Sequence, residues 1–157
     1  MKRILLPIDF SEATEPAVAF VQELAGQTGA QVYVLHVTGS QLKYERGKSM
    51  PPEPELSDLC ARMKDSGCVA HPLSISGLKA EADIILEQIH SLGADLVVMG
   101  SHGHSAVHNL ILGSVSTKVL RYSERPVLIV PSPRPEPIDP PADVHYSSWG
   151  EAGFPPI

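Results

Sequence analysis

Apolar residues in this chain gather in short runs separated by longer stretches where they recur every three or four positions. The runs fall at residues 4–9, 32–37, 69–75, 95–99 and 127–130. The first two are apolar on successive positions, as strands covered on both faces are. Between the first and second runs, Ala13, Ala17, Phe20, Val21 and Leu24 keep helical spacing and predict one core-facing stripe, ended by Gly29. After the third run, Gly77 opens a helix with Leu78, Ala82, Ile85, Ile89 and Leu92 on one face, closed by Gly93. Shorter helices are predicted over residues 55–66, ended by Gly67, and over residues 114–122. Strands alternating with helices predict right-handed βαβ units, hence an α/β domain with a mostly parallel sheet and helices on both faces.

Punctuation refines the pattern. Ser11 or Thr14 suits the cap of the first helix, and Pro16 must lie in its first turn, which favours Thr14. Pro72 inside the third strand predicts a sheet edge. Residues 38–54 hold Pro51, Pro52 and Pro54 without periodicity and read as a surface loop. Eight of the 15 prolines lie in the last 27 residues. Residues 1–131 therefore read as the domain, and residues 132–157 as a Pro-rich tail, extended or disordered. Tyr146, Trp149, Phe154 and Ile157 in that tail suit docking on the domain or a partner, or are incidental.

With 157 residues, 43% hydrophobic and 19% charged, the chain matches one globular domain. The net charge of −6 and the lack of a Lys/Arg cluster argue against a nucleic-acid surface. No apolar stretch approaches the roughly 20 residues of a membrane helix. Met1-Lys2-Arg3 runs straight into a strand, so no leader and a cytoplasmic setting are expected. Cys60 and Cys68 fit neither CxxC nor a zinc pattern and read as reduced thiols, with a redox pair as the alternative.

Candidate chemistry concentrates after the fourth run. Gly100, Gly103 and Gly113-Ser114 give the spacing G-x2-G-x9-G-S, opening directly out of Leu96-Val97-Val98-Met99. Glycine admits close approach of the main chain, and successive N–H groups with a helix N-terminus attract anionic oxygens. A connection this long between strand and helix tends to be functional. A phosphate-bearing ligand is the leading expectation. His102, His104 and His108 could hold a metal, but no carboxylate or cysteine completes the set nearby, so His104 reads as a loop donor close to phosphate. His36 reads as a satisfied core histidine. Gly47-Lys48-Ser49 ends like a P-loop, yet Leu42 stands where the first glycine belongs and no strand leads in.

A first strand ending Pro-x-Asp-Phe-Ser, a second ending His-Val, the run Gly-Ala-Asp-Leu-Val-Val-Met-Gly-Ser-His-Gly, then Leu-Gly-Ser and Pro-Val-Leu-Ile-Val together resemble the universal stress protein family. The likeness covers residues 1–130. It implies a Rossmann-like three-layer sandwich with a five-stranded sheet ordered 3-2-1-4-5, and the glycine spacing implies the ATP-binding subgroup. The resemblance places Pro7, Asp9 and Val37 at the adenine and ribose end. It sets Met99 beside the ring or ribose, Gly100 and Gly103 as close-approach backbone, and Gly113, Ser114, Val115 and Ser116 on the phosphates. In a sheet so ordered, ligands bind at the carboxyl ends beside the point where the strand order reverses, which brings these residues to one crevice. Asp9 can accept from an amine or a ribose hydroxyl, or merely hold a turn. The implied function is an ATP-binding, nucleotide-dependent stress-response regulator, with Mg²⁺ accompanying the triphosphate. No general base or metal-binding carboxylate pair stands beside the phosphates, so slow hydrolysis is secondary. The alternatives are a homodimeric interaction module with a vestigial site, pairing through residues 127–130, and an adenylyl-transfer enzyme.

Overall fold

The computed structural model describes residues 1–38, 53–77, 79–101 and 112–131. Its elements follow one another as β1 (Arg3–Ile8), α1 (Thr14–Thr28), β2 (Gln31–Thr38), α2 (Pro54–Asp65), β3 (Val69–Ser76), α3 (Glu81–Leu92), β4 (Leu96–Gly100), α4 (Ser114–Tyr122) and β5 (Val127–Val130). The strands form one parallel sheet ordered β3-β2-β1-β4-β5, the Rossmann-like arrangement that the alternating pattern and the resemblance imply. Pro72 lies on an edge strand, as expected.

Alternation along the strands divides the core in two. Ile4, Leu6, Val32, Val34, Ala70 and Val98 face α1 and α2, where Val21, Leu56, Leu59 and Met63 meet them. Leu5, Leu35, Val97 and Met99 face α3 and α4, against Ala82, Ile85, Ile89 and Val119. Both layers of helix are needed because consecutive strand residues are apolar on opposite faces.

Three local expectations are corrected. Thr14 does not cap α1. It is the helix's first residue, 6% exposed on the sheet side, and the cap position belongs to Ala13 with no side-chain hydrogen bond. The turn is closed instead by the Thr14 N–H, which donates to the Ser11 carbonyl at 3.0 Å. Phe20 is exposed rather than in the core stripe; the buried positions are Thr14, Ala17, Val18, Val21 and Ala25, and Phe20 stands one step round the helix from them. Helix α3 starts at Glu81 rather than beside Gly77, because Ala80 is extended and its carbonyl receives the first helical N–H groups. Gly77 instead marks a close approach: a Cβ there would come 3.2 Å from Ile84 Cδ1.

The sheet is not zipped along its whole length. The β1–β2 ladder runs from Arg3↔Gln31 to Ile8↔His36, and β4–β5 runs from Val97↔Val127 to Gly100↔Val130. Between β1 and β4 only Ile4↔Leu96 and Leu5↔Val97 are in register. Pro7, which has no N–H to give, falls just beyond the last of these pairs. The matched pairs between these two strands thus stop at Leu5↔Val97, short of the carboxyl ends where the strand order reverses.

Candidate functional site

The carboxyl ends of β1, β2 and β4, beside the point where the strand order reverses, gather most of the expected residues. Asp9 follows β1, Val37 is next to last in β2, and Met99 and Gly100 end β4, all at one edge because every strand runs the same way. Met99, Val37 and Val115 pack in the cluster on the α3 and α4 face, and alternation from Leu5 puts Pro7 on that face too. Gly103 and His104, with His102 and His108, lie outside the described residues, as do the tail and Gly47-Lys48-Ser49.

Asp9 holds a turn. Its Oδ1 accepts the Ser11 N–H at 3.0 Å. The next residue, Phe10, sits at φ +57°, in the left-handed region that costs a non-glycine residue about 1–2 kcal/mol. Packing offsets that cost: the Phe10 ring joins the α1–α2 core and meets the His36 ring edge-on, centroids 4.9 Å apart. His36 is not a closed core histidine. Its side chain is 18% exposed, and Nδ1 lies 2.8 Å from Glu53 Oε2, close enough for an ion pair although out of line for an N–H···O bond.

Beyond the end of β4 lies the start of α4. Gly113 is the cap residue at φ −70° and ψ 164°, with no side-chain cap, and no acidic residue stands in the first turn. Helices α1, α2 and α3 all carry acidic residues there. The N–H groups of Ser114, Val115 and Ser116 have no acceptor within the helix, which leaves a positive end suited to an anion. The Ser116 hydroxyl is directed elsewhere: buried at 4% exposure, it donates to the Gly100 carbonyl at 3.0 Å. It ties α4 to β4. An open groove of about 420 Å³ continues along α4, lined by Leu112, Ser114, Thr117, Lys118, Arg121 and Tyr122. Lys118 reaches across to Asp83 of α3 at 2.8 Å.

Sequence reasoning missed Glu81, the first residue of α3. Burial raises its carboxyl above the ordinary range, the Asp9 charge raises it further, and His36 works against both. Glu81 thus feels the charge of Asp9, the residue that follows β1. The only signal was an acid at a helix start, a common placement. Among the described residues no group of three or more His, Cys, Asp or Glu side chains is arranged to hold a metal ion. No described helix is long and apolar enough to cross a membrane.

An open parallel α/β sheet ordered β3-β2-β1-β4-β5 is a doubly wound arrangement shared by many domains, whose ligands lie at the carboxyl edge beside the reversal of strand order. The universal stress protein family matches residues 1–131, and the chain belongs to that family. Universal stress protein MJ0577 of Methanocaldococcus jannaschii is 25% identical over 154 residues, covering 82% of this chain and 94% of that protein. The solved MJ0577 structure superposes with a TM-score of 0.72 at 26% identity, covering 85% of this chain and 97% of the other. A universal stress protein of Thermus aquaticus is 31% identical over 140 residues, covering 82% of this chain and 98% of that protein. A universal stress protein solved in complex with cAMP matches at TM-score 0.66 and 26% identity, covering 84% of this chain and 98% of the other.

Proposed function

We propose that this chain binds ATP and acts as a nucleotide-dependent stress-response regulator. The observation that carries this reading is the shared carboxyl edge beside the point where the strand order reverses: Asp9 and Val37 on one side, the uncapped start of α4 on the other, and Met99 and Gly100 at the end of β4. There the adenine and ribose lie against Pro7, Val37 and Met99. The phosphates meet the N–H groups of Ser114, Val115 and Ser116, with Gly103 and His104 contributed by the glycine connection. Mg²⁺ travels with the triphosphate, held by phosphate oxygens and water. The relative in complex with cAMP supports an adenine nucleotide as the ligand class.

Equilibrium binding of ATP, ADP, AMP and cAMP to the wild type and to Gly113→Val tests this. A side chain at Gly113 stands in front of the α4 start and is expected to weaken ATP binding at least about tenfold, the loss of one or two charge-assisted hydrogen bonds. ATP binding undiminished by the substitution removes the site assignment.

A second reading rests on β5. It is an edge strand of four apolar, half-buried residues, Val127, Leu128, Ile129 and Val130, and its outer side offers backbone groups to another strand. Here the chain is a homodimeric module in the cytoplasm, and the nucleotide site is vestigial. Solution mass together with nucleotide content of purified protein separates the two: a dimer without nucleotide affinity favours the module, and a nucleotide-binding monomer removes it.

A further inference from the structure

Among the described residues Phe10 is the one non-glycine residue with positive φ, at +57°. Phenylalanine has no polar side-chain group to favour that backbone region, so the surrounding structure must hold it there. Its ring packs against the α1–α2 core and stands edge-on to the His36 ring, centroids 4.9 Å apart. Glu53 Oε2, 2.8 Å from His36 Nδ1, ties that histidine to the residue just before α2. The ring of Phe10 is therefore anchored on one side of the sheet. The charge of Asp9, its neighbour in the chain, is felt by Glu81 at the start of α3, the helix that covers the other side.

The two residues are mechanically linked. Asp9 Oδ1 accepts the Ser11 N–H at 3.0 Å, which closes a ring of atoms through the backbone of Phe10. The Ser11 carbonyl accepts the Thr14 N–H at 3.0 Å, which fixes the exit of the turn to α1. Moving φ of Phe10 to the common negative range rotates one side of this turn against the other by roughly 120°. With α1 seated on the sheet, the side that yields is Asp9. We infer that Phe10 is a positioning residue of the nucleoside end: its packed ring holds the left-handed turn, and the turn sets the Asp9 carboxylate before the ligand arrives. This rests on the nucleotide-binding reading and names how that site is preorganised.

An ordinary side chain without such packing keeps the left-handed turn in on the order of one molecule in ten. Apparent affinity falls by the same fraction. Glycine takes either sign of φ about equally and keeps roughly half. Two substitutions therefore separate positioning from packing, because they rank in opposite orders. Phe10→Val keeps apolar bulk toward the core, but its branched Cβ resists positive φ. Phe10→Gly gives up the packing and takes positive φ freely.

The probe is adenosine, which has no phosphate to engage the start of α4, and calorimetry reads its affinity. Circular dichroism checks that each variant is folded. Phe10→Gly should bind within about threefold of wild type, and Phe10→Val at least about tenfold more weakly. Phe10→Asn and Phe10→Thr form a second pair of the same design, alike in size and polarity, of which only asparagine tolerates the left-handed region. Asparagine should again bind the tighter. A packing role predicts the reverse order for the first pair and equality for the second, and either result overturns the inference alone. Wild-type protein that binds ATP but not adenosine has no preformed nucleoside end and overturns it as well. No binding of adenosine or ATP removes the nucleotide reading with it.

Discussion

The Gly113 N–H donates to the Ser101 carbonyl at 2.8 Å. The two ends of the glycine spacing are thereby joined at one point, and the Ser101 N–H in turn donates to Val130 at 2.9 Å, fastening that point to β5. The start of α4 is held against the end of β4 by backbone bonds and by the Ser116 hydroxyl on Gly100. Ser116→Ala should therefore leave a partly buried carbonyl one partner short and lower stability by about 1 kcal/mol. Urea denaturation measures this. Because the same bond aims the α4 start, ATP affinity should fall with it.

Asp9 holds a turn and, in the proposed site, also meets the nucleoside; Asp9→Asn separates the two roles. Asparagine keeps an oxygen to accept the Ser11 N–H but loses the charge. Stability should stay within about 0.5 kcal/mol of wild type while nucleotide affinity drops several-fold. Equal affinity in the two proteins would reduce Asp9 to its turn.

Asp95 accepts the N–H groups of Lys2 at 2.6 Å and Arg3 at 3.0 Å, and these bonds hold its carboxyl below the ordinary range. A carboxyl that is more acidic folded than unfolded adds stability above its unfolded titration, and that contribution disappears as pH falls through the folded one. Asp95→Asn should be the less stable protein near neutrality, with the gap to wild type narrowing below about pH 4. Denaturation midpoints across that range check the sign.

Cys60 and Cys68 are buried free thiols. Burial pushes the Cys60 thiol up to about 11, with Lys64 opposing and Cys68 reinforcing. Burial likewise raises Cys68. The fold holds both protonated where an unfolded chain begins to lose them, so stability should decline from about pH 8.5 upward. At neutral pH iodoacetamide should alkylate the native protein at least about tenfold more slowly than the urea-unfolded one. Equal rates would place the thiols at the surface.

Gly93 closes α3 at φ +58°, and a Cβ there would stand 2.9 Å from Arg3 Nη1, which donates to the Leu92 carbonyl at 2.7 Å. Gly93→Ala should cost about 1–2 kcal/mol, mostly from the left-handed backbone, since the arginine tip can move aside. Thermal denaturation reads it directly.

Much of this was written locally. The runs around Leu5, Val34 and Val98 are apolar at every step because helices cover both sides, and that pattern is visible without tertiary knowledge. Gly29 and Gly93 mark helix ends through backbone preference alone. The order of the strands is not local, and only the resemblance supplied it. Phe20 was misplaced because helical spacing selects a face only to within one neighbouring position. Ser116 was expected on phosphate but serves the Gly100 carbonyl, a choice made by a residue 16 positions away. Glu81 and Glu53 escaped notice because their relation to Asp9 and His36 exists only once the sheet has assembled.

Pro7 is matched with Leu35 of β2 and has no counterpart on β4, so the seam where the strand order reverses carries two matched pairs against six, eight and four at the others. The place that topology sets apart in this sheet is also the one that the fewest backbone pairs hold.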